Sequence, residues 1–525
     1  MTYCDIRSLV SMDNTFSNKR IAKNTAFLYV RMAFVMFVTL YTVRVVLSVL
    51  GEIDYGIYNV VCGLVYMFGV LNTTLSSAIS RFYNFAIGQR SEKGVTKVYS
   101  TSIILQILLA VIVVVVAETV GVWYMNNKMV IPDDRMIVAR WIFQFAVFSL
   151  VLLVLQTPYV AAVTSFERMD YLAIVGIIDA SMKLIIVYIL KIVSFDKLLL
   201  YGVLMLGISV VNFLLYFIYC KIKFKEIYWE KGVGKELMKP MLSFSGWLLL
   251  DPVAYAIKGQ GSNMALNFFH GPVMNTAFGV SNQVSAALDS FGGNISTAFR
   301  PQIIQSYSEG NHLRTKKLMY SMSKIVFVLK LLICVPIVLE ADYLLHLWLG
   351  NFFPEIAISF SQMMVIIGVI NGFAHPITVV IYAKGNMKRY MTLTSIVVSS
   401  VLPISILLLM FGTEPICVYW TMLASAVLNL VVSILILSQE FKEVSVGDYF
   451  ISVLRPCFLH AILSVLLPLF VWILMPSSFL RLLFVGVAAC LAALVSAYFF
   501  VLNEVEKDML RGFFVNATHR FKMKK

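Results

Sequence analysis

Ser102-Ile103-Ile104-Leu105-Gln106-Ile107-Leu108-Leu109-Ala110-Val111-Ile112-Val113-Val114-Val115-Val116-Ala117 carries no charge, and the apolar stretch around it, about 99–125, holds only Glu118. At about 1.5 Å of rise per helical residue, such a stretch crosses the roughly 30 Å hydrocarbon layer of a bilayer. Stretches of the same kind recur at about 25–49, 56–86, 136–158, 171–195, 198–220, 240–269, 274–305, 318–340, 358–383, 391–412, 415–438, 452–474 and 479–502. Composition agrees. Of 525 residues, 60% are hydrophobic and 13% charged, where a soluble chain carries about 25% charge. The apolar supply fills on the order of fourteen spans of about 20 residues. A soluble enzyme, a disordered scaffold and a secreted disulfide module are excluded. The expected fold class is all-α integral membrane, with about 14 transmembrane helices.

Lys and Arg number 42 against 28 Asp and Glu, a net charge of +14. In a soluble protein that surplus would point to nucleic acid; here its placement explains it, and no nucleic-acid partner is expected. With fourteen spans, one set of alternate gaps plus the two ends holds about 27 Lys and Arg. The opposite gaps hold about five: Lys128, Arg135, Lys191, Lys197 and Arg481. Cytoplasmic loops are the basic ones, so both termini are expected in the cytoplasm. The chain then divides into a cytoplasmic N-terminal segment (1–24), an N-lobe (25–220), a basic linker (221–239), a C-lobe (240–438), two further helices (452–502) and a basic tail (503–525). The linker (Lys221, Lys223, Lys225, Lys231, Lys235, Lys239) and the tail (Lys507, Arg511, Arg520, Lys522, Lys524, Lys525) read as anchors on anionic lipid. About 24 polar, basic residues precede the first apolar run, which is longer than a signal h-region, so no cleavable signal is expected. The seven cysteines are scattered, with no Cys-x-x-Cys or Cys/His cluster, so they read as small apolar packing residues and no metal is expected.

A short internal repeat follows the topology. Ser77-Ala78-Ile79-Ser80-Arg81 closes the second span, and Ser296-Thr297-Ala298-Phe299-Arg300 closes the eighth. Both are followed by a polar, basic gap, with Gly88, Lys93 and Lys97 in one and Gly310, Arg314, Lys316 and Lys317 in the other. Six spans apart and on one membrane side, the pattern predicts two pseudo-symmetric six-helix lobes, a parallel repeat of the kind that builds transporters.

Charges inside the spans are the candidate chemistry, since an ionised side chain at the bilayer centre costs about 2.5–3.5 kcal/mol on insertion scales and normally faces water or a partner. Cations dominate: Arg31, Arg44, Arg81, Arg140, Lys183, Lys258, Arg300, Lys324, Lys330 and Arg455, against Glu118, Asp179, Asp251 and Asp289. Arg140, Lys324 and Arg455 lie close enough to helix ends to snorkel. Asp179 precedes Lys183 by one turn, an order that favours an ion pair, with a pathway role as the alternative. Lys330 has no acid a turn away and needs an inter-helix partner or a wet cavity. The seventh span is the least apolar, with Trp247, Asp251-Pro252, Lys258-Gly259-Gln260-Gly261, Asn263, Asn267 and His270. Pro252, Gly259 and Gly261 can open its backbone, which is tolerable where it lines water or protein; a kinked structural helix with polar contacts to its neighbours is the competing reading. His270 and His375 each stand next to a Gly or Pro and read as packing residues.

Several segments resemble the oligosaccharide flippases (Wzx-type O-antigen exporters) of the multidrug/oligosaccharidyl-lipid/polysaccharide exporter superfamily. They are Leu50-Gly51-Glu52-Ile53-Asp54-Tyr55-Gly56-Ile57-Tyr58-Asn59, Ser76-Ser77-Ala78-Ile79-Ser80-Arg81-Phe82, Pro158-Tyr159 with Glu167-Arg168-Met169, Phe299-Arg300-Pro301-Gln302-Ile303 with Ser306-Tyr307, and Leu347-Trp348-Leu349-Gly350. Their order and spacing, over about residues 20–440, carry the resemblance. It implies two six-helix lobes around a central cavity, alternating access, and export of lipid-linked glycan across a bacterial inner membrane. Within that picture Arg31, Arg81 and Arg300 line the cytoplasmic mouth of the cavity. The expectation is a cationic track in which Arg81 and Arg300 meet a diphosphate first and Lys258 receives it deeper. Gln260 and Asn263 line the same helix, and Asp251 and Asp289 keep capture reversible.

The expected activity is therefore secondary transport, without enzymatic residues or a cofactor: flipping a polyprenyl-diphosphate-linked oligosaccharide, such as an O-antigen or lipopolysaccharide repeat unit. Polysaccharide assembly proteins are a further expected partner. No Walker-type phosphate loop is present. The rivals are a lipid II-type flippase and a cation-coupled multidrug exporter of the same superfamily. The exporter would demand an acid in the first span, where residues 25–49 hold only Arg31 and Arg44 as charges. A membrane polymerase or acyltransferase would want a sizeable outer loop, or a His with a nearby acid in the bilayer.

Overall fold

The computed structural model describes the backbone of residues 3–502 and 507, apart from 90, 231–234 and 386. Side chains are described from residue 34 onward, apart from these and positions 73, 235–236, 244–245, 247–248, 291, 294 and 297–298. Arg31, Trp247, part of the basic linker and most of the basic tail thus lie outside the described side chains. Among the described residues the chain is all helix and turn, without a strand. The helices are α1 (Tyr3–Phe68), α2 (Val70–Gly88), α3 (Glu92–Asn127), α4 (Asp133–Ser165), α5 (Met169–Ile192), α6 (Lys197–Lys223), α7 (235–270) and α8 (Pro272–Ser308). They continue as α9 (His312–Leu339), the short α10 (Ala341–Leu349), α11 (Ile356–Lys384), α12 (Lys388–Met410), α13 (Cys417–Glu440), α14 (Val446–Leu474) and α15 (Phe479–Val501).

Among the described residues, eleven helices are long and apolar enough to cross a membrane. Their faces present large apolar side chains outward, such as Phe37 (74% exposed), Ile192 (84%) and Met410 (72%), a surface that hydrocarbon covers and water would not. The chain is a multi-pass membrane protein. All fourteen apolar stretches read from the sequence are helical, but three are not counted separately among the eleven. The first two join in α1, whose break at Gly51 (φ 75°, ψ 178°) a side chain would oppose. The seventh is interrupted at Leu249 and by a π-helical turn at Ile257–Gly261. The eighth, α8, is long but polar.

Helix ends outrun the apolar stretches because polar residues cap them. Ser91 accepts a hydrogen bond from the Gly94 amide, so α3 begins seven residues before Tyr99. Asp196, Asn311, Ser445 and Ser478 cap α6, α9, α14 and α15 in the same way. Gly385, left-handed at φ 87°, closes α11.

Backbone packing divides the chain into two units: residues 1–276 with 348–354, and residues 277–347 with 355–525. In the first, α4 packs on α2, α3 and α6, α1 on α4 and α5, and α7 on α1, α2 and α3. In the second, α11 packs on α9 and α13, α12 on α13, and α14 and α15 pack on α9 and on each other. The α3–α4 and α4–α6 contacts of the first unit have counterparts in α9–α11 and α11–α13 of the second, each formed by apolar stretches six further along the chain. Both fourth helices carry an interior proline, Pro158 in α4 and Pro376 in α11. Each unit has its own core, the first rich in tyrosine around Tyr83, Tyr99 and Tyr159, the second built on Val326, Phe327, Phe373 and Ile377.

Candidate functional site

In the first unit the polar helix α7 lies against α1 at small-residue contacts. A Cβ on Gly56 would stand 2.0 Å from the Pro272 carbonyl oxygen, and one on Gly63 would stand 2.2 Å from Gln260 Oε1. Thr276 Oγ1 donates to the Glu52 carbonyl at 2.5 Å, just past the Gly51 break. Small residues let membrane helices approach this closely. The turn joining α7 to α8 is held by asparagines. Asn275 Nδ2 donates to the Asn263 carbonyl and to Asn263 Oδ1, both at 2.7 Å, and Asn267 Nδ2 donates to Asn275 Oδ1 at 2.8 Å. The Val130 amide donates to Asn267 Oδ1 at 2.7 Å. These three asparagines are at most 2% exposed. Buried amides satisfied by one another fix a helix hairpin.

The predicted site residues therefore part company. Gln260 and Asn263 belong to this internal network, with Asn263 Nδ2 3.4 Å from Gln260 Oε1. Lys258 sits half-buried on the π-helical turn, its Nζ 5.9 Å from the Tyr255 ring centre. Asp251 is half-buried just beyond the break at Leu249, and Arg81 is exposed on α2. Arg31 falls on α1 within the residues whose side chains are not described. Asp179 and Lys183 form the ion pair expected from their spacing, at 2.7 Å, and Asn212 of α6 donates to the other Asp179 oxygen at 2.7 Å.

The second unit holds Arg300 and Asp289 on α8, Lys330 on α9 and His375 on α11. Lys330, its side chain 7% exposed, donates to Asp289 Oδ1 of α8 at 2.7 Å and to the Gly368 carbonyl of α11 at 3.0 Å. Its alkyl stem passes Gly292 and Gly372, where an added Cβ would come within 2.7 Å and 3.5 Å of it. Lys330 thus finds its partner on another helix, and Asp289 is that partner. Asp289 itself is 56% exposed. The Arg300 guanidinium lies 5.1 Å over the Tyr382 ring of α11, a cation–π contact that leaves its N–H groups for an anion. Among the described residues Arg300 forms no salt bridge with a carboxylate. His375 lies on the same helix as Gly368, Gly372 and Tyr382.

Two charge clusters escape sequence reading because their members lie far apart in the chain. Glu340, fully buried, accepts from Arg481 Nε at 2.7 Å and from a second guanidinium nitrogen at 2.9 Å. Arg135 reaches Asp54 at 3.1 Å and Asp196 at 2.6 Å. Both arginines had registered only as loop charges. Of the cysteines, Cys62, Cys220, Cys334, Cys417 and Cys457 are buried and Cys490 is exposed.

No protein-family description matches the sequence, and no curated protein does. Solved structures do match in fold. A lipid II flippase MurJ in an inward closed conformation aligns with a TM-score of 0.66 at 13% identity, covering 91% of this chain and 98% of its own. An inward-facing multidrug resistance MATE family transporter of the MOP superfamily aligns at 0.63 and 15% identity, covering 79% and 99%. The eukaryotic MATE transporter AtDTX14 aligns at 0.57 and 12% identity, covering 81% and 98%.

Proposed function

We propose that this protein is a flippase that moves a polyprenyl-diphosphate-linked oligosaccharide, the repeat unit of a surface polysaccharide such as O-antigen, across the bacterial inner membrane by alternating access. The observation that carries the reading is Arg300: an exposed guanidinium on the long, polar helix α8, seated on Tyr382, with no carboxylate salt bridge among the described residues. A diphosphate supplies the charge such a spot lacks, taken by Arg as a fork and by Lys as a point charge. The fold shared with MATE transporters and MurJ supports transport, and the flippase covers more of this chain than the MATE structures do (91% against 79% and 81%). Arg81 and Lys258 are the proposed contacts in the first unit.

The test is genetic. Deleting the gene should leave lipid-linked glycan accumulating on the cytoplasmic leaflet while its synthesis continues. Loss of the linked intermediate itself would replace transport with an enzymatic role, and intact surface glycan with heightened drug sensitivity would favour a drug exporter.

A further inference from the structure

Glu118, the one charge in the apolar stretch at about 99–125, takes no part in the contacts proposed for transport. It is exposed on a π-helical turn of α3, Ala117–Gly121, and its Oε2 accepts a hydrogen bond from Gln144 Nε2 of α4 at 3.2 Å. Among the described residues it forms no ion pair. The surface around this pair is apolar: Val111, Val115 and Trp123 on α3, with Ile137, Trp141 and Phe148 on α4, are exposed at helical spacing. Such a face belongs to hydrocarbon. The two tryptophans are of the kind that marks the membrane–water interface, and in the same region Arg140 donates to Asn126 Oδ1 at 3.1 Å. Glu118 lies five residues, about 7.5 Å of rise, from Trp123 into the apolar stretch. Because helical side chains lean toward the N-terminus, its carboxylate points away from that interface. Gln144 lies three residues, about 4.5 Å, inward of Trp141. Among the described residues the second carboxylate oxygen of Glu118 and the remaining amide groups of Gln144 have no partner, and lipid tails offer none.

We propose that this face of α3 and α4 is a contact between two copies of the chain within the bilayer, in which Glu118 of each copy accepts a hydrogen bond from Gln144 of the other. A second copy fits because a two-fold contact sets one patch against itself. The patch must then carry acceptor and donor side by side, as Glu118 and Gln144 do. A carboxylate set against its own twin would repel. The amide beside it, with two N–H groups, lets both Glu–Gln pairs close into one set of hydrogen bonds. Polar side chains bonded across helices hold membrane helices together in this way, and the exposed valines and Phe148 pack around them. The inference goes beyond the proposed function and does not depend on it.

The full chain, fused at its C-terminus to a donor or an acceptor fluorophore, is reconstituted in phosphatidylcholine vesicles and diluted with lipid. Energy transfer that persists on dilution, and falls when unlabelled wild type is added in excess, reports a specific pair. Wild type should show it. Glu118→Leu and Gln144→Leu should each weaken association by about tenfold, whereas Glu118→Gln, which keeps an acceptor, should retain most of it. With Cys4 and Cys490 changed to Ser, oxidation of Val115→Cys should trap a covalent dimer, and oxidation of Leu407→Cys, exposed on α12, should not. Wild type that is monomeric at every dilution overturns the proposal. So does a pair that either leucine variant leaves unchanged, or cross-linking that is equal at the two cysteines.

Discussion

Lys330 and Glu340 show how far a charge inside the bilayer can be read from its own neighbourhood. Asp179 and Lys183 were legible as a pair because partner and spacing lie within one turn of one helix. Lys330 was legible only as a need: no acid stands a turn away, so a partner had to come from another helix, and the structure supplies Asp289. Glu340 gave no signal, for its partner Arg481 comes from the start of another helix far along the chain. Of the candidate site, Asp289 pairs with Lys330, Arg300 stands over Tyr382, and Gln260 and Asn263 serve the asparagine network. The two ion pairs differ in burial, and that ranks them. Breaking a buried pair costs about 3–5 kcal/mol because the other charge is stranded. Asp289→Asn leaves Lys330 its bond to the Gly368 carbonyl, whereas Glu340→Gln removes the carboxylate that holds Arg481 at two nitrogens. Glu340 is fully buried and bound at two nitrogens, while Asp289 is more than half exposed. Thermal unfolding in detergent should therefore place Glu340→Gln well below Asp289→Asn in midpoint. The reverse order would mean that Lys330, not Arg481, is the charge left stranded.

At the level of elements, the stretches of sequence without charge located the helices, and caps decided where they end. Hydropathy averages set neither the break at Leu249 nor the π-helical turn at Ile257–Gly261, but Pro252, Gly259 and Gly261 pointed to that part of α7. What no periodicity revealed was the depth of the α1–α7 contact. The two glycines there meet different obstacles. A methyl group at Gly63 meets the amide end of Gln260, which can swing aside. At Gly56 it meets the Pro272 backbone carbonyl, fixed in the hairpin that Asn263, Asn267 and Asn275 hold. Overpacking that cannot relax costs about 1–3 kcal/mol or more. Gly56→Ala should thus lower the yield of monodisperse protein and its thermal midpoint more than Gly63→Ala does. Equal behaviour of the two would show that the contact is looser than the backbone places it.

For the molecule as a whole, the repeated Ser–Arg segments point to two similar halves, and two helix contacts of the first unit, α3–α4 and α4–α6, have counterparts in α9–α11 and α11–α13 of the second. The place of division was not legible: α7 packs on α1, α2 and α3, and the boundary falls at Thr276–Ala277. Apolar composition tells what faces lipid; it carries no record of which helices choose each other. Nor does it distinguish a glycan carrier from a drug exporter, since both present the same outer surface to the bilayer. The proposed glycan carrier differs from a drug exporter in what its cations are for, and transport measured directly tests that proposal. Purified protein would be placed in vesicles containing a fluorescent sugar linked to a short polyprenyl diphosphate. The readout is the rate at which inner-leaflet sugar becomes reachable by a membrane-impermeant glycosidase. Wild-type protein should accelerate this rate sharply over protein-free vesicles. Arg300→Met and Lys258→Met should abolish most of the acceleration, and Lys324→Met, near a helix end, should retain it. A wild-type rate equal to that of empty vesicles, or one unaffected by Arg300→Met, would contradict the account.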